Sequence, residues 1–279
     1  MIEKYYDGAI EQVAAGLGTV EKNHLLVRYS GQFSVENLND TKQLEKNEDI
    51  FVQVHEFETG EITCAYEPYL TMICDGFRRY MTGTFEEFME TCDVYYLHRP
   101  VLLGYFNQDN TGREEIILLD EVAYEQERML AALERMLCAI ADRHPVLFVL
   151  NRFQLASKST MQLTARFLKC ENCNIGLVLG VSDIQAMPEF LVPDWEMLYE
   201  TLDDGSKIYH IGNSGRKKEE TIDDEKYVDY GSEKVYRKLQ NMVEFLDFDQ
   251  AAYYLETIER KIKFDNLLVD DAARFRRSE

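Results

Sequence analysis

Five consecutive apolar residues, Val146-Leu147-Phe148-Val149-Leu150, stand directly behind Pro145 and directly ahead of the polar pair Asn151-Arg152. A run this short does not make a helix, and none of its positions suits water, so it fits a strand buried on both faces of a parallel sheet. Parallel strands need crossover connections, and the flanking sequence supplies them. Before the run, Val122, Met129, Leu130, Leu133, Met136, Leu137 and Ile140 recur at steps of three and four. That spacing predicts an amphipathic helix from Asp120 to Arg143, ending before Pro145. After the run, a helix is expected from Ser159 to Lys169 and a second apolar strand from Ile175 to Val181.

The alternation extends in both directions. His24 to Tyr29 reads as a strand, Ser30-Gly31 as a turn, and the polar stretch to Lys46 as helix-competent. Ile50 to Val54 reads as another strand, leading past Gly60 to Pro68, which suits the first turn of a helix carrying Leu70, Ile73, Phe77 and Tyr80. Thr84 opens a further helix with Glu87 as its capping-box partner. The segment from Asp93 to Leu119 is mixed, with Val101 to Phe106 resembling a strand. Pro188 and Pro193 bracket a loop around Trp195, a short helix follows, and Lys207 to Ile211 reads as one more strand.

The expected fold class is α/β, with a three-layer core of mostly parallel sheet over residues 1–212. Residues 213–231 have linker composition. Residues 232–279 form a small all-α hairpin, with one apolar stripe at Val235, Leu239, Met242, Val243 and Leu246. A second stripe lies at Ala251, Ala252, Leu255, Ile258 and Ile262, and Asp247-Phe248-Asp249 separates the two.

Composition narrows the function classes. With 51 acidic against 30 basic side chains, the net charge of -21 repels a phosphate backbone, and the basic clusters at Arg216-Lys217-Lys218 and Arg274, Arg276, Arg277 are short. Nucleic-acid binding by this piece is not expected. No apolar run approaches the roughly 20 residues that cross a bilayer, and the N-terminus lacks a signal-peptide pattern, so the expectation is a cytoplasmic protein without a membrane partner. Six cysteines in apolar-looking segments suit a reducing compartment, and Cys138 falls in a helical pattern where a thiol acts as a small hydrophobe. Cys170-Glu-Asn-Cys173 has zinc-knuckle or redox spacing, yet no second CxxC or HxxxH completes a ligand set, and the expected reading is a helix-to-strand turn.

The passage Arg143-His144-Pro145-Val146-Leu147-Phe148-Val149-Leu150, continuing to Phe153-Gln154-Leu155-Ala156-Ser157, Phe167-Leu168 and Gly176-Leu177-Val178-Leu179-Gly180, resembles the ATPase domains of the STAND class. These are relatives of AAA+ proteins found in bacterial signalling regulators, and the resemblance covers about residues 10–212. Glu67-Pro68-Tyr69, opening a helix after the second strand, is similar as well. Phe248-Asp249-Gln250-Ala251-Ala252-Tyr253-Tyr254 looks like the opening helix pair of a tetratricopeptide-like array, and such repeats rarely stand singly. The resemblance implies a P-loop NTPase-like fold and protein partners through the C-terminal helices, with homo-oligomers as a further expectation.

A working P-loop wraps phosphates in glycine backbone N–H groups, meets the β and γ phosphates with a lysine and holds magnesium through Ser or Thr. The corresponding turn here is Ser30-Gly31-Gln32-Phe33-Ser34-Val35-Glu36, with one glycine and no lysine. A magnesium carboxylate is expected where the apolar run ends, and that end reads Asn151-Arg152. The degenerate nucleotide-binding candidates are therefore Ser30, Gly31, Ser34 and Asn151, while the preferred account of the first three is a plain strand-to-helix turn with Ser34 as helix N-cap. Ser182-Asp183 stands at a sensor position or caps a loop. GxSxG, HExxH and HxxEH are absent, and the five histidines are scattered singly.

No catalytic residue, cofactor or metal is expected, with ATP and magnesium kept as alternatives. Tyrosine doublets at Tyr5-Tyr6, Tyr95-Tyr96 and Tyr253-Tyr254 suit protein contacts or buried rims. The expected function is a non-hydrolytic regulatory or scaffold module of a signalling or transcription-regulatory protein. An active ATPase with an atypical site and a helical-repeat interaction module are the alternatives.

Overall fold

Five strands pair in parallel at every contact, in the spatial order β2-β3-β4-β1-β5. They are β1 (His24–Tyr29), β2 (Phe51–Glu56), β3 (Val146–Asn151), β4 (Ile175–Val181) and β5 (Lys207–Ile211). The structure is a computed structural model that describes residues 2–18, 24–29, 49–58, 62–108, 121–170, 174–182, 187–203, 207–211 and 233–260. The helices are α1 (Ile2–Gly16), α2 (Tyr69–Tyr80), α3 (Phe85–Thr91), α4 (Arg99–Asn107), α5 (Val122–Ala141), α6 (Lys158–Lys169), α7 (Val192–Asp203) and α8 (Glu233–Glu244), followed by α9 over 248–260. No helix among the described residues is long and apolar enough to cross a membrane.

The apolar run becomes β3, and its alternate side chains serve two cores because strand side chains point to opposite faces. Leu147 and Val149, with Leu25, Val27 and Val178, meet Ala9, Ile10 and Val13 of α1. Phe148 and Leu150, with Leu177, Leu179 and Val181, meet α2, α5, α6 and α7 on the other face. Tyr69 of α2 stands edge-on to Phe148 at 4.6 Å and lies 5.1 Å from Phe167 of α6, so three rings join two helices to the sheet. The Tyr69 hydroxyl is buried with them and hydrogen-bonds Thr164 at 2.6 Å.

Local signals stop and start these elements as their chemistry dictates. Thr84 and Glu87 make the reciprocal capping box of α3. The Ser157 hydroxyl accepts from the Thr160 N–H to cap α6. Pro68 is the N-cap residue of α2 rather than its first helical position, and Leu70, Ile73 and Phe77 are buried as the periodicity requires.

Three expectations need correction, and one element goes unanticipated. Val101 to Phe106 lies in α4, not a strand: Pro100 sits in the first turn, Gln108 closes the helix with a left-handed backbone, and Val101, Leu102 and Gly104 are buried. A short uninterrupted apolar run has no period, so its sequence does not separate helix from strand. Trp195 belongs to α7, with Pro193 accommodated in the first turn, instead of to a loop. Helix α1 carries no sequence expectation at all, yet packs on one face of the sheet against β1, β4 and β3. In the C-terminal hairpin Val243 and Leu255 are exposed, and the stripe that is buried runs through Val235, Met242 and Ala251 against Ile62. The stretch to Lys46, the linker and Ile262 lie outside the described residues.

Where α1 crosses β4, Gly176 leaves no room for a side chain: a Cβ there would stand 2.5 Å from a Val13 methyl and 3.2 Å from Leu147. Gly176→Ala is therefore expected to push α1 off the sheet and lower stability by about 1–3 kcal/mol, read as a lower urea midpoint with the slope unchanged.

Candidate functional site

The order of the strands marks one place on the sheet. The chain leaves β2, β3 and β4 in one direction along the sheet and leaves β1 in the opposite one to reach β2. Neighbouring strands β1 and β4 therefore form a topological switch point, and in open parallel sheets ligands bind in the crevice beyond the carboxyl ends of such strands. The side chains at those ends are Tyr29 from β1, Asn151 from β3, Glu56 from β2, Ser182 just past β4, and Arg152 and Gln154 just past β3.

These groups bond to one another. The Tyr29 hydroxyl donates to Asn151 Oδ1 at 2.6 Å, with both residues buried. The Gln154 amide donates from Nε2 to Ser182 Oγ at 2.8 Å and accepts from the Ser182 N–H at 3.4 Å. Arg152 Nε stands 3.3 Å from Glu56 Oε1. Arg152 itself has φ 54°, a left-handed backbone that side chains rarely adopt, which swings the chain out of β3 into the single 3-10 turn Phe153–Leu155. Burial pushes the Tyr29 phenol up from 10.0 to about 12, against the opposing pull of the Arg152 cation and the hydrogen bond to Asn151. At neutral pH it is therefore a proton donor, and Asn151 is its acceptor.

That donor set does not fit a catalytic magnesium. A hard divalent cation at this position asks for a carboxylate, and β3 offers a neutral amide oxygen engaged by a phenol, beside a guanidinium. Among the described residues no group of three or more His, Cys, Asp or Glu side chains is arranged to hold a metal ion. Of the four sequence candidates the structure places Asn151; Ser30, Gly31 and Ser34 lie outside the described residues, as does Asp183. Tyr29 was not recognisable from sequence as the partner of Asn151, nor Glu56 as that of Arg152 or Ser182 as that of Gln154, because the two members of each pair come from different strand ends.

From this edge, contacts run into the C-terminal hairpin. Thr63 donates to the Leu155 carbonyl at 3.3 Å, and the Tyr66 N–H donates to Ser159 Oγ at 3.0 Å. The hairpin meets the same ground. The buried Asp247 carboxylate accepts from the Ser159 N–H at 3.2 Å in the first turn of α6, Lys158 pairs with Asp249, Lys238 donates to the Ile62 carbonyl at 2.6 Å, and the Ala65 N–H donates to Asn241 at 3.0 Å. A carboxylate at a helix N-terminus meets unsatisfied N–H groups and the favourable end of the helix dipole. Burial nonetheless raises the Asp247 pKa, opposed by Ser159 and by the Lys158 ammonium.

No protein-family model matches the chain, and no curated protein matches it in sequence.

Tyr29→Phe is expected to cost about 1–2 kcal/mol near neutral pH by removing the donor to a buried amide. The folded protein holds the Tyr29 proton more tightly than the unfolded chain, so this residue's contribution is intact below pH 10 and lost as pH rises toward about 12. Denaturant unfolding across that range should show a shallower decline for Tyr29→Phe than for the unaltered protein.

Proposed function

We propose that this chain is a P-loop ATPase-like module of AAA+/STAND type that does not hydrolyse ATP and serves a signalling or regulatory protein as a scaffold. The observation that carries the reading is the closed polar cluster at the switch point, above all the Tyr29 hydroxyl on Asn151 Oδ1. A hydrolytic site keeps its acceptors at the strand ends for magnesium and the attacking water. Here they cross-link the ends of β1, β3 and β4 instead. The sheet order supports the class: one strand, β4, separates β1 from β3, which resembles AAA+ cores, where a strand lies between the phosphate-binding strand and the acidic one.

The hairpin supports the regulatory half of the proposal. Its seat is made by residues 62–66 and the first turn of α6, which lie close along the chain to the ends of β2 and β3. A change at the strand ends would reach the hairpin through Leu155, Ser159 and Asp247, without passing through solvent. The exposed apolar residues Tyr236, Val243 and Leu255 on the hairpin provide surface for protein partners.

Two measurements check this reading. A ligand that binds only the folded state raises the unfolding midpoint, so millimolar Mg-ATP or Mg-ADP is expected to leave the midpoint unchanged. A clear rise with either nucleotide would sink the proposal and return the chain to the ATP-binding class. For the hairpin seat, Asp247→Ala is expected to lose about 1–3 kcal/mol and to expose α8 and α9 to limited proteolysis. Asp247→Asn retains an acceptor without a buried charge, and should keep the hairpin protected with stability at pH 7 equal to or above that of the unaltered protein.

A further inference from the structure

Two cysteines far apart in sequence are brought together where α5 meets α6. Cys138 lies in the last turn of α5 and Cys170 is the C-cap residue of α6, 32 positions away, and their sulfurs are 3.5 Å apart. The five described cysteines, Cys64, Cys74, Cys92, Cys138 and Cys170, are all in the thiol form. Cys170 lines a groove of ≈ 520 Å³ between α5, α6 and α7, together with Arg166, Lys169 and Glu134. Cys138 does not line the groove. We propose that Cys138 and Cys170 are a redox-modification site, closing a reversible disulfide between α5 and α6 when a peroxide reaches the groove.

The geometry assigns the two roles. Cys170 lines the groove and Cys138 does not, so Cys170 is the one an oxidant in the groove meets first. Arg166 and Lys169 line the same groove, as do the carboxylates of Glu127 and Glu134. The contact with Cys170, and then burial, raise the Cys138 pKa, and either sulfur can donate across the 3.5 Å between them. The Cys170 thiolate attacks one oxygen of hydrogen peroxide, the O–O bond breaks, and one water leaves after proton transfer, giving the sulfenic acid at Cys170. The Cys138 sulfur then attacks the Cys170 sulfur, the S–O bond breaks, and the hydroxyl leaves as a second water with the Cys138 proton. Two electrons pass from the two thiols to one peroxide, and two waters are released. To form the bond the sulfurs need to close from 3.5 Å to about 2.05 Å.

The bridge would tie the C-terminal end of α6 to α5, at the opposite end of α6 from the hairpin seat on Ser159. It adds a covalent link to a helix pair already joined by Arg166, which pairs with Glu127 and, at 2.7 Å, with Glu134.

The test is hydrogen peroxide treatment of the full chain, followed by alkylation of remaining thiols, peptide mass mapping and thermal unfolding. The expected product is about 2 Da lighter, carries a Cys138–Cys170 cross-linked peptide, returns to two thiols with dithiothreitol, and melts several degrees higher, since closing a loop restricts the unfolded chain. Cys173→Ser should retain the cross-link, whereas Cys138→Ser should lose it and leave Cys170 to proceed to sulfinic acid. A Cys170–Cys173 bridge with Cys138 still open to alkylation would overturn the assignment. So would peroxide leaving both Cys138 and Cys170 as thiols in the unaltered protein, a result that needs no variant to fold.

Discussion

Burial of β3 and β4 on both faces is the constraint on which the remaining structure depends. Every residue of the two strands is buried, so each side of the sheet must be roofed by helices, and the backbone N–H and C=O groups must be satisfied within the sheet itself. The parallel ladders with β1 and β2 meet the second demand. The first divides the helices unequally. The connections after β2, β3 and β4 all run the same way along the sheet, and right-handed crossovers then place α2, α5, α6 and α7 on one face. Among the described helices α1 holds the other face, which is why Gly176 is stripped to a bare backbone beneath Val13.

The same topology gathers strand ends into one place and then fills it with mutually satisfied polar groups. Asn151, Tyr29 and Gln154 are buried where water would otherwise have solvated them, and leaving such groups unpaired costs more than pairing them gains. The cluster is therefore stabilising as a unit, and it also occupies the acceptors that nucleotide chemistry would need. Left-handed Arg152 belongs to the same arrangement, because it turns the chain toward Phe153–Leu155 while its guanidinium reaches back to Glu56. The proposed loss of hydrolysis and the rigid joining of three strand ends are thus consequences of the same bonds.

The hairpin is an extension of this core rather than an attached ornament. Phe245 is packed within the main hydrophobic cluster and stands edge-on to Tyr66 and Tyr105 at 6.1 and 6.0 Å. Gln126 of α5 donates to the Leu246 carbonyl at the hairpin's turn. With Asp247 on the first turn of α6 and the Cys138–Cys170 pair at its last, α6 is held at both ends by groups that answer to different chemistry.

Elements with a strong local signature were legible in the amino-acid order: the doubly buried strands, the long amphipathic α5, the capping box at Thr84 and Glu87, and the two-helix character of the tail. Each is decided by residues within a few positions of one another, through backbone periodicity and capping. The end of β3 at Asn151, without a carboxylate, was legible too, because it closes an apolar run. What only the tertiary structure decided was which groups meet. Tyr29 reaches Asn151 across 122 positions, Cys138, packed against the main core as its helical pattern implied, also finds Cys170, and Ser159 receives Asp247 across 88. The helical state of Val101 to Phe106 and the packing of α1 were settled likewise by burial against neighbours, since an unbroken apolar run carries no period and the sheet face α1 covers exists only once four distant strands have paired.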